Sequence, residues 1–401
     1  MEGDYDEKII TSSGKEIRNK DMKRVLFVWV CVVLLVGPAC AKKPAFNKAD
    51  SLINAAVTAG EIPGAVLCVV QGDKVVYNKA YGCRRVHPYK ERMTRNTVFD
   101  LASVSKVVGT GMTAMTLVDE GRLDPNAKVS EYLPEFEGEA TIRDLMTHVS
   151  GLPAYATWTV LLKDHPNATK AERKQILKDY VCHCPRLSEP RAKYRYSCLN
   201  FITLQYVMEA ITGKPLDRLA EERVFGPLKM KHTGYNPGPK KRVAPTEIQP
   251  DSVCLWGVVH DPLAREMNSG VSGNAGVFSR SKDLAKLAVW MFRTLDGKQT
   301  ERVPFSRESL QFMLTVPTGY EEFERTLSWG VWEDFLIKPE TLLYPKSVYH
   351  TGYTGTFMVV DPEHEIAVIL LAHRVHPYDK GGVNDLRRNV VEAVAAQLLT
   401  K

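Results

Sequence analysis

Apolar and polar positions alternate along this chain in blocks whose period changes from helical to extended and back. Residues 46–60 place Phe46, Leu52, Ile53, Ala56 and Val57 at helical spacing and stop at Gly60, which predicts an amphipathic helix. Ala65–Val70 and Lys74–Tyr81 read as two strands joined by Gln71-Gly72-Asp73, a turn of hairpin length with a glycine to supply positive φ. After Phe99-Asp100-Leu101-Ala102, Ser103 opens a predicted helix, Val104–Gly121, with Val107, Met112, Met115 and Leu117 available for burial. From there to about residue 260 the pattern is helix and loop, including Ile142–Met146 and Phe201–Thr212, the latter closed by Gly213. Strand signals return at Ser328–Trp332, Ser347–His350, Thr356–Asp361 and Ile366–Ala372, and Asn384–Leu399 reads as a terminal helix. This order predicts a sheet assembled from both ends of the chain around a mostly helical insertion, with a cleft between them as the natural site. Pro237–Arg242 is the expected flexible loop.

Composition narrows the class. The chain has 401 residues, 44% hydrophobic and 25% charged, enough to build a sizeable core, and its length predicts two interleaved units. A net charge of +6 that shows no basic stripe in the sequence argues against a nucleic-acid partner. Met22-Lys23-Arg24, the apolar run Val25–Val36 and Ala39-Cys40-Ala41 together read as an export signal within residues 1–41. Translation starting at Met22 would account for the acidic residues 1–21. Twelve apolar residues are too few to span roughly 30 Å of hydrocarbon as a helix. Cys40 offers the alternative of a lipidated N-terminus, so the expected location is the periplasm of a bacterium, free or as a membrane-anchored lipoprotein.

The six cysteines beyond that segment, Cys68, Cys83, Cys182, Cys184, Cys198 and Cys254, have the irregular spacing of buried thiols and not of a disulfide framework. Cys182-His183-Cys184 has no second pair to complete a tetrahedral metal site. No metal and no organic cofactor is expected, and the protein is expected to act as a monomer.

Ser-x-x-Lys occurs three times, at Ser12/Lys15, Ser103/Lys106 and Ser279/Lys282. The first precedes the export signal, and Ser279 suits the cap of a helix Lys282–Arg293. Only Ser103 stands where an apolar strand-like segment meets a buried helix. Residues three apart on a helix are neighbours, so Lys106 can set its amine beside the Ser103 hydroxyl. Backbone N–H groups at the helix start can also support negative charge there. Serine is a weak nucleophile until a base takes its proton, and a lysine that ordinarily titrates near about 10.4 has to be brought down by about three pH units to serve. Burial is expected to do this.

Two later segments complete a constellation. Tyr194-Arg195-Tyr196-Ser197-Cys198-Leu199-Asn200 precedes the apolar helix ending at Gly213, and His350-Thr351-Gly352 ends a late strand. With these three motifs in order, residues 46 to 398 resemble the serine β-lactamase and penicillin-binding-protein superfamily, in its branch of class C β-lactamases, DD-peptidases and related esterases. Leu145–Pro153, Val259-His260-Asp261-Pro262 and Gly273–Phe278 also look like that family.

The resemblance implies an α/β (α+β) β-lactamase-like fold, an antiparallel sheet flanked by N- and C-terminal helices. The sheet domain would comprise residues 46–115 and 261–401, and the mostly helical insertion residues 116–260. It implies Ser103 as nucleophile of an acyl-enzyme, Lys106 as base or proton relay and Tyr196 as second acid/base, with the order of Lys106 and Tyr196 open. The backbone N–H groups of Ser103 and Tyr353 would form the oxyanion hole. His350, Thr351 and Gly352 would bind or polarise substrate, and His148 and His260 would tie loops around the site.

Two departures bear on substrate. Cys198 stands where the family often has Asn or Asp, and a thiol is too poor a donor to hold a substrate amide, a part that Asn200 could take from a different angle. His350 stands where many members have Lys and is largely neutral near pH 7, so it grips a carboxylate less firmly. The expected activity is an exported serine hydrolase acting on D-amino-acid peptides of the peptidoglycan type or on small esters, with weak β-lactam turnover. Acyl transfer to an alcohol or amine acceptor, and a non-catalytic penicillin-binding sensor, are the alternatives that the same acyl-enzyme allows.

Overall fold

The computed structural model describes residues 45–299, 304–335 and 341–400. Residues 1–41, the expected export signal, lie outside them, and Pro44–Lys401 form one compact unit. Helix α1 (Asn47–Thr58) leads into the hairpin β1 (Gly64–Gln71) and β2 (Lys74–Arg85), followed by short β3 (Glu91–Arg92) and β4 (Phe99–Asp100). Helices α2 (Met112–Asp119), α3 (Ile142–Met146), α4 (Lys170–His183) and α5 (Cys198–Thr212) fill much of the middle of the chain. Then come β5 (Gly234–Tyr235), β6 (Pro245–Ile248), β7 (Cys254–Trp256), β8 (Val277–Ser279) and α6 (Ser281–Leu295). The chain closes with β9 (Gly330–Val331), β10 (Val348–Thr351), β11 (Phe357–Asp361), β12 (Ile366–Ala372) and α7 (Asn384–Leu399).

Seven strands make one sheet in the order β3-β2-β1-β12-β11-β10-β9, so strands from the two ends of the chain meet at β1 and β12. They pair antiparallel in a register that sets Cys68 opposite Ile369. Alternation then sorts the side chains. Leu67, Val69, Val368, Leu370 and Val359 face Ile53 of α1 and Val390 and Val394 of α7. Val66, Cys68, Ile369, Leu371 and Met358 face Leu284, Leu287 and Met291 of α6. Because both faces of β12 are covered, its sequence is a continuous apolar run and not an alternating one. The second of these clusters runs on into Leu145, Leu177 and Leu204 of the helical insertion, so the insertion and the sheet share a core.

Three expectations are corrected here. Val104–Gly121 is not one regular helix: Ala102–Val104 form a 3₁₀ turn, Lys106–Gly111 a π-helix, and regular α geometry starts only at Met112. Ser279 caps nothing. It lies on β8, its hydroxyl 2.7 Å from that of Thr233, and α6 has no side-chain cap. The strand expected at Ser328–Trp332 shrinks to Gly330–Val331 at the sheet edge, with Trp332 opening a helical turn. The described cysteines are all free, and no described group of His, Cys, Asp or Glu could hold a metal ion. No described helix is long and apolar enough to cross a membrane.

Candidate active site

Ser103 is presented by a sharp corner. Strand β4 pairs with β8, Leu101 N–H donates to Val277 O at 2.9 Å, and the chain then turns through Ala102 at φ 47. A left-handed alanine costs about 1 kcal/mol, and the bond from Ala102 N–H to Asp100 Oδ1 at 2.8 Å holds it there. The π-helix begins at Lys106, whose side chain is fully buried.

The Lys106 amine has three acceptors for three donors: Ser103 Oγ at 3.0 Å, the carbonyl of Asn274 at 2.9 Å and Cys198 Sγ at 3.5 Å. The Tyr196 ring centroid lies 5.0 Å away. Gly273 makes the Asn274 contact possible, since a Cβ there would come 1.9 Å from Phe201 O on α5. Contrary to the expectation from burial alone, the Lys106 pKa is raised. Desolvation is the largest single influence and works against the ammonium, and the summed pull of Cys198, Tyr196 and the Asp261 carboxylate outweighs it. Lys106 therefore rests as a cation.

Tyr196 and Cys198 reach this amine from the insertion because the segment Leu145–Pro153 cradles them. His148, at φ 63, accepts at Nδ1 from Ser197 N–H at 3.1 Å and lays its ring 4.5 Å from that of Tyr196. Ser197 Oγ donates to Pro153 O at 2.6 Å, and Cys198 N–H donates to Ala154 O at 2.8 Å. Asn200 is turned away into the same cradle, accepting from Ser150 Oγ at 2.5 Å, fully buried. It does not take the place of an amide in the cleft.

The strand opposite brings His350, Thr351 and Gly352 to the far wall. Thr354 Oγ1 donates to Asp100 O at 2.9 Å and Thr356 Oγ1 to Leu101 O at 2.8 Å, stitching the Gly352–Thr356 turn to the strand that carries Ser103. Gly352 has no room for a side chain, because a Cβ would sit 2.0 Å from Thr356 Oγ1. Arg374 Nε donates to Tyr353 O at 2.8 Å, and the Tyr353 ring stacks on His260 at 5.7 Å. His350 is buried, donates from Nδ1 to Thr351 O at 2.8 Å, and lies 6.1 Å from the Tyr196 ring. Burial, with Lys106 close by, pulls it down to about 3, so it is neutral.

Two arginines escaped the sequence reading. Arg387 of α7 is 5% exposed and donates to Gly352 O at 2.7 Å, Thr356 O at 3.0 Å and Asn384 Oδ1 at 2.7 Å, all neutral acceptors; burial lowers it to about 9. It lines a cavity of about 280 Å³ with Ser103, Tyr196, Thr351, Gly352 and Asn384. Arg325 lines a smaller one of about 170 Å³ with Tyr196, Tyr349, His350 and Thr351.

A hydroxyl and a buried amine one turn apart, a phenol on an inserted lobe and a Thr-Gly turn in the opposite wall are the arrangement the motifs implied. The Beta-lactamase family profile matches residues 49–392. The chain belongs to the Beta-lactamase family. It is 30% identical over 364 residues to the "Putative D-alanyl-D-alanine carboxypeptidase" of Escherichia coli (strain K12), covering 82% of each chain. The protein of the same name from Salmonella gallinarum is 31% identical over 371 residues, covering 82% of this chain and 83% of that one. Among solved structures, EstCE1, a hydrolase with promiscuous acyltransferase activity, superposes with a TM-score of 0.69 at 22% identity, covering 87% of this chain and 98% of that one. Unliganded simvastatin synthase (LovD) from Aspergillus terreus gives 0.67 at 19% identity, covering 89% and 99%. These structures share the fold, which is β-lactamase-like. Within this family the chain is a serine hydrolase of the β-lactamase and DD-peptidase superfamily.

The neutral histidines have a consequence for stability. His350 and His373 are held down to about 3 and His260 to about 4, each chiefly by burial, and His148 lies well below its ordinary value for the same reason. An unfolded chain would protonate all four below about 6.5, so the unfolded state binds more protons and stability falls as pH drops from about 6.5 toward 4. Asp100, raised by burial to about 6, acts in the opposite sense over part of that window but is a single group. Denaturant melts at pH 7, 6, 5 and about 4 are expected to show a midpoint that falls steadily; a flat profile contradicts neutral burial of these rings.

Proposed function

We propose that this chain is an exported hydrolase that forms an acyl-enzyme on Ser103 and acts on short D-amino-acid peptides or small esters with a carboxylate close to the scissile carbonyl. The contact that carries the reading is the 3.0 Å hydrogen bond between Lys106 Nζ and Ser103 Oγ at the mouth of a cavity walled by Gly352 and Arg387. As an ammonium, Lys106 polarises and positions the hydroxyl but does not take its proton. Tyr196 is therefore assigned the base: in its deprotonated form its oxygen accepts the Ser103 proton as the Oγ–acyl bond forms, and the resulting phenol returns that proton to the leaving group as the scissile bond breaks. The carbonyl oxygen that becomes negative is received by the N–H groups of Ser103 and Tyr353, held at fixed separation by the Thr354 and Thr356 hydroxyl bonds.

Charge in the cleft supports an anionic substrate. His350 brings none, whereas Arg387, which donates to Gly352 O and has no carboxylate among its hydrogen-bond partners, brings a whole one. The names of the Escherichia coli and Salmonella relatives agree with a peptide C-terminus as the group recognised. Export rests on Met22–Ala41, whose basic start, apolar run and small residues suit a signal peptidase, or lipidation at Cys40.

Intact-mass analysis after exposure to a phosphonate probe, penicillin or a simple ester is expected to show one adduct on the wild type and none on Ser103→Ala, with turnover down by about three orders of magnitude. Labelling that survives in Ser103→Ala removes the assignment. The same mixtures separate hydrolysis from transfer, which yields a new ester or amide only with added acceptor, and from a sensor, which stops at the adduct.

Cys198 limits β-lactam chemistry, since Sγ makes its contact with Lys106 and offers a substrate amide only a weak donor. Nitrocefin turnover is expected to be slow in the wild type. Cys198→Asn should raise its acylation rate by about tenfold, the worth of one hydrogen bond. Wild-type turnover as fast as that of an efficient β-lactamase contradicts this account.

A further inference from the structure

Away from the Ser103 cleft, one face gathers cations that the sequence left scattered. From Arg223 to Thr246 there is no Asp or Glu, and Lys229, Lys231, Lys240, Lys241 and Arg242 are all exposed. Helix α6 adds exposed Lys282 and Arg293. Lys229, Lys282 and Arg293 border a cavity of about 560 Å³ together with the apolar Leu228 and Val289. Lys231, Lys240, Lys241 and Arg242 border another of about 540 Å³ with Val98.

The two cavities belong to one surface. Lys286 Nζ donates to Lys229 O, and His232 N–H donates to Asp283 Oδ2 at 2.7 Å. Burial and then the charges of Arg280, Arg242 and Lys286 hold His232 below its ordinary value, against the pull of Asp283. Asp283 is fully buried and already shared by Arg280 at 3.3 Å and Lys286 at 3.4 Å, so it neutralises none of the seven exposed cations.

The position of this face suggests what it meets. Asp73 and Val75, at the β1–β2 turn, form part of the larger cavity, and Val75 is 45% exposed. Phe46, near the start of the described chain, packs its ring 4.8 Å from Tyr77 on the same hairpin. The compact unit is thus entered at the hairpin that borders the cationic face, on the opposite side of the sheet from α6. In sequence, that entry is preceded at short distance by Cys40 and the apolar run Val25–Val36.

We propose that this face rests on an anionic phospholipid bilayer, with headgroup phosphates seated among Lys229, Lys282 and Arg293 and among Lys240, Lys241 and Arg242. Interspersed Leu228, Val289 and Val75 suit the glycerol and upper acyl region better than they suit a freely hydrated polyanion. Several cations near a charged membrane act together and are screened by salt.

Flotation of the full-length chain with phosphatidylcholine vesicles, and with vesicles that also contain phosphatidylglycerol, tests this. The wild type is expected to bind the anionic vesicles at least about tenfold more strongly at low ionic strength, with the excess gone at about 1 M salt. The variants Lys240→Glu/Lys241→Glu/Arg242→Glu and Lys229→Glu/Lys282→Glu/Arg293→Glu should each cut that excess about tenfold. Both should keep phosphatidylcholine binding and ester hydrolysis, which report the leading segment and the fold. Equal binding to both vesicles, an excess that survives both variants, or its removal by soluble glycerol phosphate at matched phosphate concentration would overturn the proposal. Absence of phosphatidylcholine binding from every protein, with the anionic excess intact, counts against the export segment as an anchor and still supports the face.

Discussion

The site is organised around a buried ammonium that has no carboxylate among its hydrogen-bond partners. Lys106 gives its three donors to a hydroxyl, a carbonyl and a thiol. A charge buried in such a place is costly, and it persists because nearby negative groups favour it and because its acceptors come from different parts of the chain. Ser103 comes from the corner after β4, Asn274 from the loop before β8, and Cys198 from the start of α5. To move any one of them is to leave a buried donor unmet. That constraint ties the insertion to the sheet and makes the cleft one rigid object.

The surrounding architecture serves the same end. Gly273 lets the Asn274 loop touch α5, and Gly352 lets the opposite turn touch the strand before Ser103. Two threonine hydroxyls set the distance between those backbones, and Arg387 holds the turn from below. The His148 ring supports Tyr196 from behind. The chemistry thus rests on short-range stitching of loops whose ends are fixed by the sheet.

Much of this is legible in the sequence where packing is simple. The hairpin, the run Ile366–Ala372 and the helix Asn384–Leu399 appear as read, because their periodicities are strong and each is covered on defined faces. The 3₁₀ and π turns after Ala102 are not legible, since nearly every side chain from Val104 to Leu117 is buried and no polar face reports the winding. A serine two residues ahead of a helix looks alike whether it caps or sits in a strand, hence the error at Ser279. The part that the sequence leaves open to Asn200 goes unfilled, because Asn200 lies two positions from Cys198 on one helix and residues so spaced do not face each other. Arg387 could have been noticed: with Val390, Val391 and Val394 it falls on the apolar stripe of α7, an unusual place for a charge. The state of Lys106 could not be read, because it depends on acceptors brought from residues 198 and 274.

The most direct measurement is a crystal structure of the protein trapped with a slow acylating agent. The account predicts continuous density from Ser103 Oγ to the acyl carbon. The carbonyl oxygen should lie within hydrogen-bond reach of the Ser103 and Tyr353 N–H groups, and Lys106 should still donate to Asn274 O. Density attached instead to Cys198 or Lys106, or a carbonyl oxygen turned toward His350, would contradict it.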